Sequence, residues 1–262
     1  NATTLSTSVK PFTLADVSLY SATGGGNSLS IRNPLTGSAV VNGVGGSNFN
    51  DIAMRPDGVL FGTFANSGSI ARIDPLTGAQ SGGGASGIAM VTGTPDLGGM
   101  AFRRTPEVAT GNYELFVANN NDWDQNGNAA DGNEAGSALW RLNPDTGALI
   151  DEDTSTPATG NQPVGTLPAG ARITGLAFDS QNGSTLFAVD SVGRIWRTTV
   201  SGTQTSRSIP IVGSWAQVPI TGGAGPAGFT GLTPGPQNVQ NGAYSQMLFA
   251  SGADGRLYAF NQ

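Results

Sequence analysis

The apolar positions of this chain fall in short runs separated by Gly, Asn, Asp and Pro, and nowhere do they hold a 3.6-residue period. Five runs open on the same kind of pair: Leu19-Tyr20, Leu60-Phe61, Leu115-Phe116, Leu186-Phe187 and Leu248-Phe249. Each is followed by a second run, at Ser28 to Ile31, Ser69 to Ile73, Ala138 to Leu142, Arg194 to Arg197 and Arg256 to Phe260. Four are preceded by another, at Asp51 to Met54, Gly99 to Phe102, Gly175 to Phe178 and Gly231 to Thr233. Runs this short, bounded by turn residues, predict strands.

The punctuation between them repeats as well. Asn66-Ser67-Gly68 and Asp254-Gly255 separate paired strands, where glycine supplies the positive φ of a tight hairpin. After the second run come Asn33-Pro34-Leu35-Thr36-Gly37, Asp74-Pro75-Leu76-Thr77-Gly78 and Asn143-Pro144-Asp145-Thr146-Gly147, in which proline presets φ and the Asn or Asp bonds the turn backbone. A weaker fourth strand is expected in the variable tract that follows, as at Ile88 to Val91 or Ser208 to Val212.

The shortest copy, Leu19 to Leu60, matches the roughly 40–45 residues of a four-stranded blade. The chain therefore reads as all-β: a β-propeller of about five blades, mostly of four antiparallel strands, forming one domain over residues 1–262. Its repeat cores lie near 19–49, 50–96, 97–172, 173–228 and 229–262. Radially packed blades bury both sheet faces, which accounts for strands rich in Leu, Phe, Ile and Ala with little strict alternation. The first copy lacks an inner strand and the last stops after its third, so residues Thr3 to Ser18 are expected to close the ring; the alternative is an arc of a larger propeller.

Composition narrows the function classes. Glycine, at 40 of 262 residues, and only 11% charged residues suit a turn-dense β fold. Net charge is −6, with Lys10 the sole lysine and the arginines scattered, so no basic stripe marks a nucleic-acid partner. No apolar stretch has the length of a membrane-spanning helix, and direct membrane insertion is not expected. The chain has no cysteine and no histidine, which excludes thiolate chemistry, Ser-His-Asp catalysis and histidine-ligated metals. It begins at Asn1 without a charged-then-apolar leader, and the expectation is an exported protein whose leader or precursor was removed.

The stretch Asp51-Ile-Ala-Met-Arg-Pro-Asp-Gly-Val-Leu-Phe61, continuing through Ser69-Ile-Ala-Arg-Ile-Asp-Pro-Leu-Thr-Gly78, resembles the YVTN and NHL-type propeller repeats of bacterial surface proteins. The same grammar extends over nearly the whole chain from Leu19, with Leu-Phe or Leu-Tyr where that family has Tyr-Val. The resemblance implies a propeller fold and an extracellular or cell-surface location, and no particular reaction.

One hairpin breaks the repeat. The step from the leading leucine to the aligned residue of the next strand is nine or ten residues in four copies and 24 from Leu115 to Leu139. The insertion contains Asp122, Asp124, Asn126 and Asn128 at alternate positions, with Gly127 as the turn and Glu134 further on, like the first half of a calcium loop. Two readings stand: a Ca2+ site formed by those five residues, and a hydrophilic loop whose Asx and Gly residues only make turns. Residues 122–153 hold eight acids against Arg141 alone, a local field that favours a cation.

Arg72, Arg141 and Arg197 share one position of the second strand and are expected to brace neighbouring blades through turn carboxylates such as Asp74, or else to ring an anion-binding surface. Trp140 and Trp196, each one residue earlier, are read as blade packing rather than sugar platforms. Of the glutamates, Glu107, Glu114, Glu134 and Glu152, none sits in a motif marking a catalytic acid. Asp51 and Asp190 are the candidates if the protein is a glycosidase, which needs a carboxylate pair and no histidine; Asp190-Ser-Val-Gly-Arg-Ile-Trp196 resembles a sialidase Asp-box with altered spacing. The expected function is a non-catalytic extracellular module, self-assembling or bound to a protein partner and stabilised by calcium; the alternative is a glycan-binding or glycan-hydrolysing propeller.

Overall fold

The computed structural model describes residues 19–23, 28–32, 38–45, 49–64, 70–75, 77, 79–81, 96–103, 113–120, 138–144, 163–180, 183–201, 211–221, 223, 225–236 and 242–262. These form five antiparallel sheets in chain order. The first is β1 (Leu19–Thr23), β2 (Ser28–Arg32) and β3 (Ala39–Gly45). The second runs β4 (Phe49–Met54), β5 (Leu60–Phe64), β6 (Ile70–Ile73) and β7 (Gln80–Ser81). The third runs β8 (Leu97–Arg103), β9 (Glu114–Asn119), β10 (Ala138–Leu142) and β11 (Gly165–Thr166). The fourth has β12 (Ile173–Phe178), β13 (Thr185–Asp190) and β14 (Ile195–Ser201), whose far edge is shared by β15 (Ile211–Val212) and β16 (Ala216–Val218). The last is β17 (Phe229–Pro234), β18 (Met247–Gly252) and β19 (Leu257–Asn261).

All five Leu-Phe or Leu-Tyr pairs fall where expected, in β1, β5, β9, β13 and β18. Their partner strands and the four inner strands follow the same register in every sheet: Ala53, Ala101, Ala177 and Thr233 each lie opposite the aromatic residue of the pair. Fourth strands exist but are short, and β15 (Ile211–Val212) falls within the tract Ser208 to Val212 where one was expected. β7 starts directly after the Asp74-Pro75 turn, where the Asp74 carboxylate accepts the Thr77 N–H at 3.2 Å and the Asp74 N–H bonds the Ala79 carbonyl at 2.8 Å. The tract Ile88 to Val91 and the closing segment Thr3 to Ser18 lie outside the described residues.

The sheets are joined face to face by apolar clusters. Leu29, Phe49, Leu60 and Ile73 fill the first seam, and Phe61, Met100, Leu115 and Val117 the second. Phe116, Leu139, Leu176, Phe178 and Leu186 fill the third, with Phe116 and Phe178 edge to face at 5.1 Å. Phe187, Val189, Phe229, Leu232 and Leu248 fill the fourth. Burying both faces of each middle sheet is what demanded apolar residues at successive positions.

The inner strands carry a repeated irregularity. In β4, β12 and β17 the register slips at Asn50, Thr174 and Thr230, and in β8 at Gly98 and Gly99. A bulge leaves one residue outside the ladder and re-aims its side chain. Asn50 Nδ2 donates to the Leu97 carbonyl of the next sheet at 2.8 Å, and the Thr174 hydroxyl donates to the Phe229 carbonyl at 2.8 Å. At Gly98 no side chain is tolerated, since a Cβ there would lie 1.9 Å from the Ile173 carbonyl oxygen. Asn120, at the end of β9, takes over, bonding both Ile173 N–H and C=O at 2.8 and 2.9 Å.

Candidate functional site: the axis and its rim

Aligning the inner strands through these bulges puts Asp51, Gly99, Gly175 and Gly231 in one column. At this level the strands meet backbone to backbone. A Cβ on Gly99 would lie 2.4 Å from the Gly175 carbonyl carbon, and one on Gly175 would lie 2.4 Å from the Leu232 nitrogen. A Cβ on Gly231 would meet Ser251 Oγ at 3.2 Å and Asp51 Oδ1 at 3.7 Å, so β17 faces back toward β4.

Asp51 is thus the one acid in a column of glycines among the described inner strands, and it is 5% exposed. Its Oδ2 accepts the Met100 N–H at 2.7 Å, which ties β4 to β8, and its own N–H donates to Thr63 Oγ1 at 3.0 Å. Burial pushes its carboxyl well above the ordinary carboxylate range, the bonds from Met100 and Ile52 offsetting only part of that. Raising the carboxyl in this way favours its neutral form, which is a poor nucleophile.

Asp190 has a different task. It lies fully buried at the end of β13, and its carboxylate accepts the N–H groups of Val192 and Arg194, Arg194 Nε at 2.6 Å and Trp196 Nε1 at 3.0 Å. Every lone pair it can offer is taken, so it shapes the β13–β14 hairpin, with Gly193 at φ +83° providing the reversal. The next sheet builds the same hairpin with the acid moved. There Asp254 accepts the Arg256 N–H at 3.1 Å and the Tyr258 hydroxyl at 2.7 Å, and a Cβ on Gly252, the position matching Asp190, would strike Asp254 Oδ1 at 2.4 Å. The likeness to an Asp-box is therefore one of hairpin scaffolding.

Of the aligned arginines, Arg141 donates to Glu114 Oε1 at 2.7 Å within its own sheet, the Arg72 guanidinium lies 5.9 Å from the Phe61 ring centre, and Arg197 is exposed. Two other arginines make joints between neighbouring sheets. Arg103 binds Glu114 Oε2 at 3.2 Å and donates to the Gly183 and Val200 carbonyls of the fourth sheet at 2.9 and 3.0 Å. Arg172 clasps Asp96 through two bonds of 2.6 and 2.7 Å. Glu114, passed over in the sequence, is a buried hub between two guanidinium groups. Its signal lies in register, since Arg103 and Glu114 are direct partners across the β8–β9 ladder.

Trp140 is fully buried, as read, and its Nε1 has no acceptor among the described residues, whereas Trp196 reaches Asp190. The proposed calcium ligands Asp122, Asp124, Asn126, Asn128 and Glu134 lie outside the described residues. Residues 121–137 connect the strand ends at which β9 finishes and β10 begins, and residues 145–162 leave from the far end of β10, about 13 Å away at 3.3 Å per residue.

Asn50, Asp96, Asn120, Arg172, Thr174, Asp190, Arg194, Thr230 and Asp254 all stand at the end where inner strands begin and second strands finish. This rim is polar, and Val192 at the tip of the β13–β14 hairpin is 59% exposed on it. No helix among the described residues is long and apolar enough to cross a membrane.

No protein-family profile and no curated protein matches this chain. Solved structures do. A putative oxidoreductase (glucose dehydrogenase) of Thermus thermophilus is 16% identical over 92% of this chain and 76% of its own, with a TM-score of 0.51. The Dos1 propeller is 10% identical (TM-score 0.43) and the WD40 domain of Toxoplasma gondii coronin 11% identical (TM-score 0.48), each match covering 94% of this chain. The chain spans 53% of the length of each of those two. With five antiparallel sheets joined face to face and the likeness to the Thermus protein, the chain has the β-propeller fold.

Proposed function

We propose that the chain is a single-domain, non-catalytic interaction module of the cell exterior, of the YVTN/NHL-type repeat class, which meets another protein or a second copy of itself through the rim. The observation that carries this reading is the closeness of the strands at the axis. At the level of Gly99, Gly175 and Gly231 the backbones pass too closely for a sugar ring to enter between them, and a glycosidase needs two carboxylates several ångströms apart on either side of one. The buried acids Asp190 and Glu114 are committed to structural partners. The rim instead offers a polar, well-braced surface with an exposed valine, the composition of a protein contact rather than a reaction chamber. Calcium bound by the insertion would stiffen that same end, because residues 121–137 join strands there.

The test is incubation of the intact chain with a panel of chromogenic glycosides and natural oligosaccharides, beside Asp51→Asn. No turnover is expected from either protein. Hydrolysis by the natural chain that Asp51→Asn abolishes would overturn the reading in favour of a glycan-acting enzyme.

A further inference from the structure

The acid at the axis has no structural need to be one. The three equivalent positions are glycine, and Asn50 and Thr174 already supply bonds between sheets. Asp51 nonetheless places a carboxyl where β4, β8 and β17 converge, bonded to Met100 N–H at 2.7 Å on one oxygen and facing Gly231 with the other.

We propose that Asp51 is a proton-operated clasp: as a neutral acid it ties β4 to β8 and packs against β17, and loss of its proton sets an uncompensated charge among backbone-packed strands and loosens the ring. The surroundings support this. Among the described residues, β5, β12 and β17 carry no ionisable side chain, and β1 carries only Tyr20. β8 carries Arg103 at its far end, tied to Glu114, Gly183 and Val200. Asp96 and Arg172, just before β8 and β12, are paired with each other. No described cation is left to stabilise an ionised Asp51. Burial acts in the same direction by favouring the neutral form.

The sign follows from linkage. A folded-state value above the unfolded one gives stability that is complete below the ordinary aspartate range, near pH 4, and is lost as pH rises through the folded value. The experiment is calorimetric unfolding of the whole chain from pH 4 to pH 9, with Asp51→Asn, which keeps a carbonyl acceptor for Met100, and Asp51→Gly, which copies the sister strands. The natural chain is expected to lose melting temperature with rising pH relative to both variants, and in acid to match Asp51→Asn and lie above Asp51→Gly, which lacks the bond to Met100. Should Asp51→Asn fail to fold, Asp51→Gly and the 13C carboxyl shift of Asp51 in the natural chain carry the test. A carboxyl midpoint well above the ordinary range is expected. Parallel pH profiles, or a midpoint at the ordinary value, would overturn the clasp.

Discussion

Adding one methyl group at Gly175 tests the closeness of the strands at the axis. Its Cβ would sit 2.4 Å from the Leu232 nitrogen, 2.7 Å from the Gly231 carbonyl carbon and 2.9 Å from the Gly231 Cα. All three obstacles are backbone, so no side chain can swing aside; β12 and β17 must part, straining the seam filled by Phe187, Phe229 and Leu248. Overpacking of this kind costs about 1–3 kcal/mol, here at the upper end. Alanine returns roughly 0.5–1 kcal/mol by restricting the unfolded chain. The net loss is about 2 kcal/mol, or roughly 4–8 °C in melting temperature at about 2–4 °C per kcal/mol. Gly223→Ala is the control: it has open space around its Cβ and no left-handed φ, and is expected to stay within about 0.5 kcal/mol of the natural chain. Paired scanning calorimetry reads both. If Gly175→Ala melts no lower than Gly223→Ala, the inner strands do not touch and the argument against a substrate at the axis fails.

Other outcomes follow from the same geometry. Glu114→Gln leaves the buried Arg103 and Arg141 facing each other without their anion, and should lower stability by about 3–5 kcal/mol, read as a lower urea midpoint at unchanged slope. Asp190→Ala removes the buried acceptor of Arg194 Nε, Trp196 Nε1 and two turn N–H groups and should cost roughly 2–3 kcal/mol, whereas Asp254→Ala, at an exposed site, should lower the melting temperature far less. Calcium should raise the melting temperature of the natural chain over that in chelator, and Asp122→Ala with Asp124→Ala should abolish the gain; no shift with calcium would remove the metal site.

Much of this architecture was legible in the sequence because it is repeated. The Leu-Phe pairs, the inner runs and the Pro-Gly turns mark strands that are buried on both faces, and burial at that depth constrains residue type at each position. The fourth strands were legible only at Ile211–Val212. Gln80–Ser81 and Gly165–Thr166 are two residues long and held by one edge, too short for any pattern to develop. Inner strands also begin earlier than their apolar runs suggest, at Phe49, Leu97, Ile173 and Phe229, because a bulge residue breaks the run after its first member.

The site was half legible. Asp51 and Asp190 were singled out as the candidate catalytic acids, but their roles depend on contacts that chain order hides. Stacking the four inner runs would have revealed an aspartate in a column of glycines. The hairpin acid escaped column reading because the last sheet moves it from the place of Gly252 to Asp254 while keeping its partners, an arginine and an aromatic two residues apart. The Arg103–Glu114–Arg141 cluster needs the β8–β9–β10 register before it can be seen at all.

The central claim is that the rim is a contact face, and sedimentation velocity over a range of concentrations in calcium tests it most directly, with Val192→Asp as the partner measurement. Val192 is anchored through its backbone to Asp190 while its side chain stands in solvent, so the substitution leaves the hairpin intact. The account predicts a mass that grows with concentration in the natural chain and stays monomeric in the variant at an unchanged melting temperature. An association that Val192→Asp does not weaken would contradict it, and a natural chain that remains monomeric throughout would remove the second copy as the partner.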